Sequence, residues 1–214
     1  MNIEETLNTL AELGAGWILW LLVGLSVLAL GIVLERGVAL TRARVDPRAL
    51  RLELQRLLDA GSIDEARALL RASGSYEGQI VLAGLRHEEL EPAAVEDSMA
   101  AERAAVKADM ERNLSFLGTV GNNAPFVGLL GTVIGIIKAF QELDASAGQV
   151  TQGLMTEVGE ALVATAVGLL VALPAVAFYN LLLRVVRGRL QVAESLGLDL
   201  LAHLRRGRAA GGAG

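Results

Sequence analysis

A single carboxylate and two hydroxyls stand in stretches otherwise stripped of charge. Glu160 comes directly before residues 161–183, which hold no Asp, Glu, Lys or Arg, and Thr165 lies within them. Thr132 sits inside residues 114–137, which are equally uncharged. An ionisable group at membrane depth is costly and usually faces a protein interior or an aqueous cavity. Desolvation there favours the neutral form of a carboxyl, the setting for one that takes up and releases protons. A second reading is equally open: Glu160 marks a membrane interface, as an acidic residue favoured by the dipole at a helix N-terminus. Glu157, one turn earlier, fits that second reading better. At about 100° per residue, Glu160 and Thr165 lie about 140° apart on a helix, so the two need meet only across a subunit boundary.

The elements that must position these groups are helices with small-residue stripes. Gly121, Pro125, Gly128, Thr132, Gly135 and Ala139 fall on one face, and Ala161, Thr165, Gly168 and Ala172 on another. Small stripes let helix backbones approach closely or line a narrow cavity, and both roles are open for the glycines. A threonine in each stripe adds a hydroxyl where packing alone needs none. Pro125 and Pro174 each remove a helix hydrogen bond, tolerated in a span when neighbouring groups satisfy the freed carbonyls. Asn122 and Asn123 are placed either to join helices or to wet a cavity.

Three segments, 13–34, 114–137 and 161–183, contain no charged residue, and 53% of the 214 residues are hydrophobic. About 20 apolar residues cross a hydrocarbon core, so the fold class is an all-α membrane protein with three transmembrane helices. The first segment is bulky, with Trp17 and Trp20 suited to an interface. It reads as a retained span, because a signal peptide wants a basic leader and Glu4, Glu5 and Glu12 stand there instead. Arg36, Arg42, Arg44, Arg48 and Arg51 follow the first span, and Arg184, Arg187 and Arg189 follow the third. Residues 141–156 carry no Lys or Arg, and Lys138 can snorkel outward. The positive-inside rule then gives a periplasmic N-terminus (1–12), spans at 13–40, 114–140 and 157–183, a cytoplasmic region at 41–113, a periplasmic loop at 141–156 and a cytoplasmic tail at 184–214.

The cytoplasmic region reads as helical. Pro47 suits the first turn of a helix to about Leu58, and Ser62 can cap a second that ends near Gly74. From Pro92 no glycine or proline interrupts before the second span, so one long helix is expected to continue into the membrane. Residues 209–214 are expected to be disordered. Cysteine is absent, which excludes disulfides and thiolate metal sites, and no metal or cofactor is expected.

The run from Gly121 through Asn122, Asn123, Ala124, Pro125, Phe126, Val127, Gly128, Leu129, Leu130, Gly131, Thr132, Val133, Ile134 and Gly135 to Ile136 resembles the second span of the MotA/TolQ/ExbB proton-channel family. The run from Gly159 and Glu160 to Leu169, followed by Pro174 to Asn180, resembles its third. The three-span layout is similar to the ExbB and TolQ branch. That resemblance implies that Glu160 is the family's intramembrane carboxylate and that Thr132 and Thr165 are its pore-facing threonines. It also implies a homopentamer set in lipid, whose second and third spans surround an ExbD/TolR-like single-span partner bearing a membrane aspartate. Work would pass to a TonB-, Pal- or motility-type periplasmic protein. On this reading the chain is a proton-channel subunit of an inner-membrane motor, with no nucleic-acid partner. No P-loop spacing or nucleophile–base pair suggests an enzyme. Two other readings remain: a non-conducting scaffold that stabilises such a partner, and a self-sufficient channel.

Overall fold

A computed structural model describes residues 14–42 and 45–211. Among them stand seven helices: α1 (Gly16–Arg42), α2 (Pro47–Asp59), α3 (Ile63–Ser73), α4 (Tyr76–Leu85), α5 (Pro92–Met110), α6 (Leu114–Ala145) and α7 (Gln152–Gly211). Three of them, α1, α6 and α7, are long and apolar enough to cross a membrane. The expected N-terminal segment 1–12 and Arg44 lie outside the described residues. The chain divides into two compact units. One holds the described residues up to Leu34 together with Asn113–Leu181, and the other holds Glu35–Arg112 and the chain from Leu182 onward.

In the first unit α6 and α7 pack antiparallel with a steady register. A Cβ on Gly121 would lie 2.5 Å from the Val176 side chain, one on Gly128 2.7 Å from Ala164 O, and one on Gly135 2.5 Å from Ala161 Cβ. Gly168 answers from the other side, 2.7 Å from Ala124 O. Backbones this close require residues without side chains, since in lipid helix association rests on van der Waals fit rather than on hydrophobic burial. Both helices run unbroken through Pro125 and Pro174. The first helix buries Ile18, Leu22 and Ala29, while Trp20, Val27, Leu28, Leu30 and Leu34 are exposed. Such a bulky apolar exterior suits lipid.

The second unit is a helical cluster with its own core, including Leu54, Leu58, Leu70, Leu85, Val95, Met110, Leu196 and Leu200. Asp46 caps α2 by accepting from Arg48 N at 2.9 Å, with Pro47 in the first turn. Gly74 ends α3 in the left-handed region at φ 55°, where glycine costs least. Ser75 then caps α4 by accepting from Gly78 N at 3.0 Å.

Two expectations are corrected, the long helix from Pro92 and the disordered tail. Residues 92–113 do not run as one helix into the second span: α5 stops at Met110, and Asn113 takes φ 64° before α6 begins. Asparagine tolerates that left-handed conformation, so a helix can end without glycine or proline. Helix α6 continues to Ala145 and α7 starts at Gln152, so parts of the stretch 141–156 are helical. Residues 209–211, expected to be disordered, are helical at the end of α7, and the stretch from 184 buries Val186, Leu190, Ala193 and Leu196. That apolar face earns its place in the second unit's core, which stabilises the helix beyond the span.

Candidate ion pathway

Thr132 and Thr165 meet. Their hydroxyls lie within hydrogen-bonding distance of each other, and Gly128 O is 3.2 Å from the Thr132 hydroxyl and 3.1 Å from that of Thr165. With one proton on each, one hydroxyl donates to the carbonyl and the other to its neighbouring hydroxyl. Each threonine is half-buried. A side chain on Gly128 would fill the space against Ala164 and Thr165, so the glycine is what brings the two hydroxyls together. Within the chain, Gly128, Gly135, Ala161 and Gly168 therefore serve helix packing, and the threonines edge that seam. Pro125 lies half-buried one turn before Gly128, and Pro174 is exposed on α7. Asn122 and Asn123 are exposed too, and Asn123 Nδ2 turns back to Thr119 O in its own helix at 2.8 Å.

Glu160 does not join the threonines. It is exposed and has no hydrogen-bond or ion-pair partner among the described residues. The buried α6-facing residues Ala161, Ala164 and Gly168 lie between it and Thr165 around α7. Glu157 differs: its Oε1 accepts from Lys138 Nζ at 2.7 Å, joining α7 to α6. Sequence reasoning placed Lys138 at the interface without a partner. The available signal was an opposite charge at the matching end of each of two helices joined by a short loop.

A buried polar cluster in the second unit also escaped prediction. The Arg189 guanidinium donates from Nε and Nη2 to the two carboxylate oxygens of Glu77 at 2.8 Å and 2.9 Å, and from Nη1 to Leu40 O at 3.0 Å. Both residues are less than a tenth exposed, and Arg189 stacks over the Tyr76 ring at 5.1 Å. Arg36 donates to Asp109 O at 2.9 Å. Burial raises the Tyr76 pKa above its ordinary value of 10.0, aided by the Asp109 carboxylate 3.3 Å from its hydroxyl. A buried, bidentate arginine–carboxylate pair holds its helices in one geometry, because neither charge can be left alone.

Residues 72–195 match the model of the MotA/TolQ/ExbB proton channel family. The chain is 32% identical over 186 residues to the biopolymer transport protein ExbB of Pseudomonas putida, covering 82% of this chain and 56% of that protein. It is 30% identical over 171 residues to the Tol-Pal system protein TolQ of Haemophilus influenzae, covering 75% of each. A shorter stretch of 83 residues is 45% identical to the putative biopolymer transport protein ExbB-like 2 of Helicobacter pylori, covering 39% of this chain and 55% of that protein. The chain thus spans little more than half the length of several curated relatives it matches. The matched segment contains the threonine pair, Glu157, Glu160 and the Glu77–Arg189 pair.

Proposed function

This chain belongs to the MotA/TolQ/ExbB proton channel family, and from that premise we propose that it is the proton-conducting subunit of an inner-membrane motor. The observation that carries the reading is Glu160, a carboxylate beside an uncharged span, exposed on the single chain and without a partner among the described residues. A charge on a lipid-facing surface costs several kcal/mol (about 3 on insertion scales), so the chain is expected to enclose Glu160 by assembling. Glu160 and Thr165 lie on different flanks of the α6–α7 seam. A ring of copies therefore sets Glu160 of one beside the threonine face of the next. We assign the ring five copies, with α6 and α7 lining a central space.

An ExbD/TolR-like single-span protein with a membrane aspartate fills that space, and protons pass between the aspartate and the threonine-lined face. The N-terminus is periplasmic and the C-terminus cytoplasmic on this reading, which the arginines after α1's span and α7's span support. The driving energy is the ion gradient, about 2.3 kcal/mol per charge at 100 mV, and no bond-making chemistry is assigned to the chain. Work passes to a TonB-, Pal- or motility-type periplasmic protein. Native mass spectrometry on the tagged chain, extracted gently from its own membranes, tests the assignment. A ring holding a small single-span protein with a membrane aspartate supports it. A bare oligomer from several mild detergents contradicts it.

A further inference from the structure

Lys138 and Glu157 form an ion pair within one helical turn of Glu160, and neither is accounted for by the pathway above. Lys138 Nζ lies 2.7 Å from Glu157 Oε1, with the side chains 31% and 15% exposed. The second oxygen, Glu157 Oε2, is buried and has no hydrogen-bond partner among the described residues. Gly14, at φ 69°, closes over the pair: a Cβ there would lie 3.0 Å from Lys138 Nζ and 3.9 Å from Glu157 Oε2. Three segments of the first unit thus converge on one partly buried ammonium and its counter-charge. Glu157 precedes Glu160 by three residues, about 4.5 Å along the helix axis. That is well inside the distance of about 10 Å over which salt screens a charge.

We propose that Glu157 is a specificity-determining residue whose task is to neutralise Lys138, so that cations approach Glu160 without meeting a bare ammonium. This rests on reading Glu160 as the ion-path carboxylate. Lys138 lies about two turns before the end of α6, and its charge, left unpaired, would oppose every arriving proton. The paired carboxylate cancels that field. A pair that merely fastened α6 to α7 needs both partners. A charge filter needs only that Lys138 never stand alone.

The two roles separate in a set of variants of the complex, isolated from its own membranes, reconstituted in vesicles and read by an acid-sensitive dye under an imposed potential. Rates are normalised to assembled oligomer recovered on size exclusion. Glu157→Gln is expected to lower proton uptake at least about tenfold, the lower end of field effects on charged ligands. Lys138→Met, and the double variant Lys138→Met with Glu157→Gln, are expected to retain uptake. Equal impairment of all three, or normal uptake in Glu157→Gln, would overturn the proposal. Glu160→Gln, run beside them, is expected to abolish uptake; normal uptake there defeats the Glu160 reading itself, and the filter with it.

Discussion

The hydroxyls of Thr132 and Thr165 lie within reach of each other and of one carbonyl, Gly128 O, 3.2 Å from the first and 3.1 Å from the second, so adjacent spans meet at an acceptor that the glycine leaves accessible. The arrangement ties the hydroxyls to the packing. The same absence of a side chain at Gly128 that lets α7 approach also sets the hydroxyls at the seam's edge, half-buried.

Replacing either threonine by valine keeps the volume and removes the hydroxyl. Each change is expected to cost about 1 kcal/mol of stability, the worth of one hydrogen bond. Proton uptake should fall far more than oligomer recovery does. A parallel fall in both would assign the threonines to packing alone.

The glycines make a graded series. Gly128→Ala places a carbon 2.7 Å from Ala164 O and Gly168→Ala one 2.7 Å from Ala124 O, whereas Gly159→Ala meets nothing within 4 Å. Overpacking costs about 1–3 kcal/mol, so the first two should lower the temperature at which the oligomer dissociates in detergent, and the third should leave it unchanged.

Glu77 and Arg189 test the second unit. Breaking a buried pair costs about 3–5 kcal/mol, while exposed pairs such as Arg205–Glu96 contribute about 0–1 kcal/mol. Glu77→Gln should therefore yield a chain that proteases cut readily, and Glu96→Gln one that resists as before. Equal resistance would show that the pair is not a lock.

Tyr76 supplies a pH dependence. Its pKa is raised in the folded chain, first by burial and then by Asp109, so the folded state holds the proton more tightly than the unfolded one. The resulting stability is present below about pH 10, the unfolded pKa, and is lost as pH rises through the higher folded value. Hydrogen exchange in the second unit should quicken across that alkaline window, and Tyr76→Phe should remove the dependence.

The sequence reveals this protein unevenly, for physical reasons. The spans announce themselves because membranes demand long uncharged runs, and α2 and α3 because Pro47, Ser62 and Gly74 punctuate them. Helix α4 carries no such pattern: Glu77 and Ile80 through Leu85 are all buried, so no polar face alternates with an apolar one. The stop at Asn113 is hard to read because asparagine tolerates the left-handed region but also occurs within helices and loops, so its presence alone does not mark a helix end. Thr132 and Thr165 were evident as hydroxyls in small stripes, yet their meeting depends on the register of two helices 33 residues apart at that point. Lys138 and Glu157 pair for the same reason, and only the antiparallel register brings them opposite.

The most direct test of the pathway is proton uptake by vesicles carrying the Glu160→Gln complex, with its composition weighed by native mass spectrometry in the same preparation. A ring of unchanged composition that has lost uptake is the predicted result. Unimpaired uptake, or loss of the ring together with uptake, would contradict an ion path through Glu160.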